Sequence, residues 1–373
     1  MRNNIYLTHY RTAATSHTEV IEDNSYPQRV HMFADSYDDA KRGFTYVPHS
    51  LADKVIDDDI VAHIEDNPVK GKTGFILAAG SQGWAGVSGK KINEDSRLAY
   101  TYKMPLLCLT NIFGGSIASK RFGIKDYTST DASACASSLK VMMEVQNLMT
   151  NFGFDRFVVL AMEDAVNNST LEFFGQAKAS LLLKDEGSIK PSAFDSVNAG
   201  FNLGQGVALC VFETESALTT TPEARFLGAY TSAEEFSNPL GQRPDGQGYR
   251  RAMEGAMHYA NVKPEEVKII KTHGTGTVTN NISEKAAITG LFDDFVATSY
   301  KTRYGHTLAA SGLMETGLLL DDIKQGFIPG ILNRTEDDNK FLSKDSQVPD
   351  GLIMSLASGM GNVYSAALFG RVQ

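Results

Sequence analysis

The chain has 373 residues, of which 42% are hydrophobic and 21% charged, and these proportions exclude a wholly disordered or a fibrous protein. Lys and Arg number 35 against 44 Asp and Glu, so the formal net charge is -9 at pH 7. This acidic balance argues against a general nucleic-acid binder and against attraction to an anionic membrane, and we expect neither partner.

The N-terminal residues contain no apolar stretch of the kind found in signal peptides, and no run approaches the ~18 apolar residues of a membrane span. The 3 cysteines, Cys108, Cys135 and Cys210, are odd in number and far apart. They therefore favour neither a disulfide framework nor a zinc site. We expect a cytoplasmic protein without a metal, in which Cys108 and Cys210 lie buried in apolar runs.

Strand-like runs alternate with helical patterns along the chain, which favours an α/β architecture. The polar stretch Glu213–Arg225 is the best candidate connection between two unequal halves. The predicted elements are strands at Asn4–His9, Arg156–Leu160, Val207–Phe212, Val267–Lys271 and Leu352–Leu356, and helices over 139–152, 247–260 and 307–324.

The first chemical motif, Asp131–Leu139 (DASACASSL), leads from a polar extended segment into the first predicted helix. Cys135 therefore falls at or near a helix N-terminus, where unpaired N–H groups and the helix dipole favour a thiolate. Its small neighbours leave space for a substrate. A cysteine here is a nucleophile or a structural residue, and the motif alone favours the structural role.

Two further motifs place a histidine after a strand-like run. In Thr272–Thr277 (THGTGT), His273 stands at the end of a strand, where α/β sites usually form, and no Gly-Lys-Ser/Thr follows to favour a phosphate loop. In Lys301–Gly312 (KTRYGHTLAASG), His306 precedes the third helix. Each histidine alone is equally typical of a capping or core residue.

The helix starts after Cys135 and His306 are alike (CASSL and HTLAASGL), and the two residues stand 171 positions apart, close to half the chain. This spacing indicates a duplicated half. The cysteine then belongs to the first copy and both histidines to the second.

Together the three motifs resemble the β-ketoacyl-acyl-carrier-protein synthases, the elongating Cys-His-His condensing enzymes of the thiolase superfamily. SACASS at 133–138, HGTGT at 273–277 and K-x-x-x-G-H-x-x-x-A-x-G at 301–312 fit the family patterns in order and at suitable spacing. The resemblance implies an α/β, thiolase-like five-layer αβαβα fold built from two duplicated halves, residues 1–220 with the nucleophile and residues 221–373 with both histidines.

The same resemblance implies catalytic roles. Cys135 accepts an acyl group from a carrier-protein thioester. The neutral imidazoles of His273 and His306 donate hydrogen bonds to the enolate that forms when a malonyl thioester loses carbon dioxide. The attack of this carbanion on acyl-Cys135 gives a 3-oxoacyl product two carbons longer, in fatty-acid or specialised polyene or polyketide-like biosynthesis. The backbone N–H groups of Cys135 and Ser358 form the oxyanion hole.

Supporting residues and partners follow from the resemblance as well. Lys301 is expected to pair with Glu284 and to order His306, and Thr275 and Thr277 are expected to bind the phosphopantetheine arm. No cofactor is implied beyond that arm, which belongs to acyl carrier protein, the expected partner. The expected substrates are acyl-ACP and malonyl-ACP. Family members are dimers, so we expect a homodimer or heterodimer.

Three positions depart from the family pattern. Asn281 replaces the usual Asp and Gln205 the usual Glu, so two negative charges are missing near the supporting network. In the terminal loop, Ser358 stands where a Phe commonly gates the acyl pocket, and Met360 is the candidate replacement. We therefore expect an acyl specificity unlike that of housekeeping fatty-acid elongation.

Other functions remain open at this point. A non-catalytic, chain-length-factor-like subunit of a heterodimeric ketosynthase resembles the same family, but such subunits typically lack the cysteine that Cys135 supplies. A degradative thiolase usually has a second catalytic cysteine late in the chain, whereas the last one here is Cys210. A cysteine hydrolase would leave His306 unexplained.

Overall fold

The computed structural model describes residues 4–22, Ser25, 28–33, 51–80, 110–166, 168–182, Lys184, 190–195, 200–238, 240–336 and 338–372. The strands of this part of the chain are β1 (Ile5–Ala14), β2 (Thr18–Ile21), β3 (Gln28–His31), β4 (Lys72–Ala78), β5 (Tyr127–Asp131), β6 (Phe154–Asp164), β7 (Leu203–Thr214), β8 (Ala224–Ala233), β9 (Val267–Lys271), β10 (Val296–Thr298), β11 (Phe327–Ile328), β12 (Ser346–Gln347), β13 (Leu352–Gly359) and β14 (Val363–Arg371). The helices include α1 (Asp58–Asp66), α2 (Thr110–Phe122), α3 (Ser137–Asn151), α4 (Asn168–Gln176), α5 (Gln247–Ala260), α6 (Val278–Thr289), α7 (Lys301–Tyr304) and α8 (Ser311–Lys324).

The two halves of the chain repeat one sheet topology. The strand order is β5-β4-β6-β7-β1 in the first half and β10-β9-β13-β14-β8 in the second. In each half the first three strands are parallel and the last two pairings are antiparallel. A short antiparallel pairing of Ile5–Leu7 with Ala224–Phe226 joins the two sheets edge to edge. The predicted duplicated α/β fold is therefore confirmed.

Helices α3 and α8 form the central layer between the two sheets. Their apolar side chains share one core cluster with strands of both halves. The helices approach closely at Gly312, because a Cβ atom there would lie 2.6 Å from the Leu139 side chain and 2.7 Å from Ser138 Oγ. Helices α1 and α2 cover the outer face of the first sheet, and α5 and α6 cover that of the second. The layers thus follow the order αβαβα.

Most predicted elements match the structure, with two refinements. The third predicted helix begins at Ser311, four positions after the expected Thr307, because a 3-10 turn at Leu308–Ala310 comes first. The equivalent helices begin at Ser137 and Ser311, 174 positions apart, so the structural repeat differs from the 171-residue spacing of Cys135 and His306.

The remaining expectations on cysteines and membranes have different outcomes. Cys210 is buried in β7 as predicted, whereas Cys108 lies outside the described residues. Over the part of the chain that the structure describes, none of the helices has the length and apolar character required to span a bilayer.

Candidate active site

The candidate nucleophile lies in a tight turn between β5 and α3. Cys135 is the middle residue of a 3-10 turn, Ala134–Ala136, and Ala134 takes a left-handed backbone with φ 49°. The end of β13 abuts this turn, since a Cβ atom at Gly359 would lie 2.5 Å from the Ser133 carbonyl oxygen. The turn therefore presents Cys135 just before the helix N-terminus, as the motif predicted.

The burial of Cys135 opposes the thiolate that its helix terminus was expected to favour. Cys135 is only 5% exposed, and burial raises the pKa of its thiol to about 12. Lys301 opposes this shift, whereas the carboxylates of Glu163 and Glu315 add to it. Desolvation is the largest influence on this pKa and outweighs the helix terminus, because little of the Cys135 side chain reaches solvent. The Cys135 side chain is therefore a protonated thiol at pH 7.

The two histidines lie next to each other at the ends of β9 and α7. Their ring centroids are 5.5 Å apart with an interplanar angle of 80°. Burial, followed by the charge of Lys301, holds the pKa of both His273 and His306 well below 6.5. Both rings are therefore neutral at pH 7, in line with the role implied by the resemblance.

The hydrogen bonds of His306 define which ring nitrogen carries the proton. The Leu308 backbone N–H donates to His306 Nδ1 at 3.3 Å, and Ser311 Oγ lies 3.0 Å from the same atom. Because Nδ1 acts as an acceptor, the ring proton resides on Nε2. Phe201 packs edge-on against the ring at 4.8 Å. His306 is thus held as a neutral hydrogen-bond donor.

The loop that carries His273 is held by Glu284 of α6. One Glu284 oxygen accepts the His273 backbone N–H at 2.5 Å, and the other accepts the Gly274 N–H and Asn280 Nδ2, both at 2.9 Å. Burial raises the pKa of Glu284. This carboxyl group fixes the loop through its backbone, a role that the sequence did not predict.

The expected pairing of Lys301 with Glu284 is wrong. Lys301 Nζ donates to Glu315 Oε1 of α8 at 2.7 Å. Lys271 Nζ donates to the other oxygen, Oε2, at 3.1 Å. The fold places Glu315 of α8 beside Lys301, while the oxygens of Glu284 already accept the backbone N–H groups of the loop that carries His273.

Sequence reasoning missed both Glu315 and Lys271, although each leaves a signal. Glu315 is a single carboxylate within the apolar helical run Leu313–Leu320, and Lys271 ends the buried strand directly before THGTGT. A charged residue at a core position is informative, because it is rarely buried without a partner.

A cavity of about 350 Å³ opens beside Cys135. It lies between the nucleophile turn, the start of α8 and the loop after β13. Its walls are largely apolar, which suits an acyl chain. The lining residues are Gly80, Ala132, Ala134, Cys135, Glu163, Thr170, Phe173, Phe174, Leu308 and Met360.

The side chain of Ser358 belongs to a polar network on β13. Its Oγ lies 2.9 Å from Gln242 Nε2 and 2.8 Å from the Tyr249 hydroxyl. Tyr249 also donates to Asn280 Oδ1 at 2.7 Å. Met360, by contrast, lines the cavity. Met360, the candidate replacement for the gating Phe, therefore lies at the cavity wall, whereas Ser358 is not among the lining residues.

The other predicted site residues lie in the same region. The hydroxyl oxygens of Thr275 and Thr277 are 3.0 Å apart, at the start of α6. Asn281 is buried on that helix. Gln205 is buried on β7, and its Oε1 accepts the Phe33 backbone N–H at 3.0 Å. Among the described residues no group of three or more His, Cys, Asp or Glu could hold a metal ion.

Comparisons with known sequences identify the family to which the chain belongs. The model of the beta-ketoacyl synthase N-terminal domain matches residues 51–217, and that of the C-terminal domain matches residues 224–335. The oxytetracycline polyketide putative beta-ketoacyl synthase 1 of Streptomyces rimosus is 27% identical over 249 residues, covering 63% of this chain and 58% of the relative. The 3-oxoacyl-[acyl-carrier-protein] synthase 2 of Synechocystis sp. is 26% identical over 269 residues, covering 68% and 64%. The chain thus spans about three fifths of the length of these relatives.

Solved structures share the fold over the whole chain. A chain of a complex between a type II polyketide synthase acyl-carrier protein and its ketosynthase, bound to the hexaketide, has a TM-score of 0.83 at 16% identity, with 100% of both chains covered. A beta-ketoacyl synthase from Burkholderia phymatum STM815 and the ishigamide ketosynthase/chain length factor each reach 0.77 at 19% identity, again over 100% of both chains. At these identities the likeness establishes the thiolase-like fold alone.

Proposed function

Since the chain belongs to the β-ketoacyl synthase family, we propose that it catalyses a decarboxylative Claisen condensation of malonyl-ACP with an acyl group on Cys135. The product is a 3-oxoacyl thioester two carbons longer, and carbon dioxide is released. One observation carries the proposal: Cys135 lines an apolar cavity whose wall continues into the turn that holds His306, and the neutral ring of His273 lies against His306.

In the first step, Cys135 Sγ attacks the thioester carbonyl of acyl-ACP. The new S–C bond replaces that to the phosphopantetheine sulfur, which leaves as a thiol with the proton that Cys135 gives up. Lys301 favours the thiolate as it forms. We assign the oxyanion hole to the backbone N–H groups of Cys135 and Ser358, both of which lie where β13 meets the nucleophile turn.

In the second step, a malonyl thioester enters and its carboxylate leaves as carbon dioxide. The electron pair of the broken C–C bond moves into an enolate, whose oxygen receives hydrogen bonds from His273 and from Nε2–H of His306. Neutral imidazoles suit this step because they donate without protonating the carbanion. The enolate carbon then attacks acyl-Cys135, and the Cys135 thiolate leaves and takes up a proton from water, which restores the thiol.

We further propose acyl carrier protein as the donor partner, with Thr275 and Thr277 binding the phosphopantetheine arm at the start of α6. A carrier protein accompanies the ketosynthase in one structural neighbour, which supports this assignment. The products belong to fatty-acid or specialised polyene or polyketide-like biosynthesis, and the Met360 wall supports an acyl preference different from that of housekeeping elongation.

A second candidate is a chain-length-factor-like subunit in a heterodimer. A chain length factor occurs in one of the structural neighbours, the ishigamide ketosynthase/chain length factor, which favours such an assembly. The presence of Cys135 together with both histidines favours the catalytic subunit over the non-catalytic one.

Intact-mass analysis with a panel of acyl-ACP donors tests the proposal. Wild-type protein should gain one acyl mass at Cys135, the Cys135→Ala variant should gain none, and addition of malonyl-ACP should release a 3-oxoacyl-ACP. A wild-type chain that no acyl donor loads, alone or with a co-expressed ketosynthase partner, would refute the catalytic assignment in favour of the non-catalytic subunit.

A further inference from the structure

Lys271 lies directly behind the catalytic side chains and has no part in the mechanism above. It is fully buried at the end of β9, two residues before His273. Its Nζ donates to Glu315 Oε2 at 3.1 Å and to the Leu356 carbonyl oxygen of β13 at 2.8 Å. Burial lowers the pKa of Lys271 to about 8, so the amine is still protonated at pH 7.

Glu315 is shared by two buried ammonium groups, each of which binds one of its oxygens. Lys301 binds Oε1 at 2.7 Å, and Lys271 binds Oε2. Removing one partner of a buried ion pair leaves its charge uncompensated in a medium of low dielectric. Without Lys271, Lys301 alone would have to neutralise Glu315.

The charges of Lys301 and Glu315 act on Cys135 in opposite directions. Lys301 favours the thiolate, whereas Glu315 and Glu163 disfavour it. Lys271 and Lys301 both favour the neutral form of His306. Among the described residues, Glu284 of α6 also acts on Lys271, and it accepts two backbone N–H groups and an amide. Neutralisation of Glu315 by Lys271 would therefore change the net electrostatic effect of Lys301 and Glu315 on Cys135 and on the two histidines.

We propose that Lys271 is a positioning residue that neutralises Glu315 and so leaves the charge of Lys301 available to the Cys135 thiolate and the two imidazoles. The proposal rests on the catalytic roles proposed above, but it concerns the charge behind the site and not the substrate. A purely structural Lys271 would only link β9 to β13 through its hydrogen bonds, and that role does not require its charge. The proposed role does require the charge.

Alkylation of Cys135 by iodoacetamide at pH 7, followed by peptide mass mapping, tests this directly. Lys271→Gln keeps a hydrogen-bond donor but removes the charge, and it should slow alkylation about tenfold, which corresponds to a rise of one pKa unit. Raising the pH through about 8 should narrow the difference, because wild-type Lys271 then loses its proton. Lys268→Met, on the same strand with its amine paired to Asp294 at the surface, is the matched control and should react like the wild type.

The double variant Lys271→Gln/Glu315→Gln separates charge from geometry. It removes one positive and one negative charge, so alkylation should return to within about threefold of the wild-type rate. A Lys271→Gln variant that reacts at the wild-type rate, or a double variant as slow as the single one, would overturn the proposal. Glu315→Gln alone should accelerate alkylation, which provides a second measurement if the single Lys271 variant does not fold, and a slower or unchanged rate there would also overturn it. Alkylation needs no acyl donor, so a failure of the condensing function is seen separately.

Discussion

The turns that begin α3 and α8 have the same backbone but divide the chemistry between them. Both are 3-10 turns, Ala134–Ala136 and Leu308–Ala310, and each is followed at once by a helix that begins with serine. Both begin with a left-handed residue, with φ 49° at Ala134 and 44° at Leu308. The duplicated fold therefore repeats an unusual local geometry as well as a sheet topology.

The side chains at equivalent positions of the two turns differ in ways that define the site. With the 174-residue repeat, Cys135 matches the fully buried Ala309, and His306 matches Ala132. Ala134 and Leu308 also correspond, and both line the cavity. The cavity therefore lies between the two turns, with the proposed nucleophile on one side and the proposed hydrogen-bond donor on the other.

The largest expected effect comes from moving the nucleophile from one turn to the other. Cys135→Ala should lower acyl loading by roughly 10³-fold or more, because it removes the thiol proposed to form the thioester. Combining it with Ala309→Cys should not restore loading, since the second thiol would be buried away from the cavity. Intact-mass analysis measures this, and an acyl adduct on the relocated cysteine would show that the turns are interchangeable.

The histidines should affect a different step. His273→Ala and His306→Ala should still acquire an acyl group from acyl-ACP, but carbon dioxide release from malonyl-ACP should fall by about 10²–10⁴-fold for each, because the enolate loses a hydrogen-bond donor. Release of labelled carbon dioxide measures the step, and loading in the same samples is the control. Variants that fail to load would mean that the histidines act on the thiol instead.

The left-handed residues allow a comparison of stability. Leu308→Gly should lower the free energy of unfolding by about 2–4 kcal/mol, because it removes a buried side chain, and relief of the left-handed backbone returns only about 1 kcal/mol. Ala134→Gly should change it by less than about 1 kcal/mol, since the same relief is offset by the added entropy of the unfolded chain. Urea unfolding measures both, and equal losses would contradict the assigned difference in packing.

The three motifs could be predicted from the sequence because each proposed catalytic side chain lies next to a local signal. Cys135, His273 and His306 all stand where a strand or short helix gives way to a turn, and that pattern is readable in a single chain. The partner of Lys301 could not be predicted in this way. The choice between Glu284 and Glu315 depends on where the fold places α7 and α8 and on which carboxylate already accepts backbone N–H groups. The protonation of Cys135 was missed for a related reason, since burial is a property of the whole fold.

Met360 should govern the length of the acyl chain. Met360→Ala should shift the preferred acyl donor towards longer chains by about tenfold in relative kcat/KM, because one or two methylene contacts in an apolar pocket are worth about that factor. Ser358→Ala should leave the preference unchanged, since its hydroxyl is engaged with Tyr249 and Gln242. Competition between acyl-ACP donors measures the chain-length preference. A shift caused by Ser358→Ala alone would mean that Ser358, and not Met360, controls that preference.

The smallest expected effect concerns the pH dependence of decarboxylation, for which we expect almost no change in rate. An exposed imidazole becomes half protonated near pH 6.5, and carbon dioxide release that depended on it would halve there. Because burial and Lys301 lower the pKa of His273 and His306, both rings keep their neutral form as the pH falls through that value, and the rate from malonyl-ACP should stay within about twofold between about pH 7.5 and 6. The unfolded chain does bind these protons, so the free energy of unfolding should decrease over the same range, and urea unfolding at each pH keeps the two effects apart. A decline in rate centred near 6.5 in protein that remains folded would show that at least one of the two rings titrates like an exposed imidazole, which would contradict the lowered pKa values.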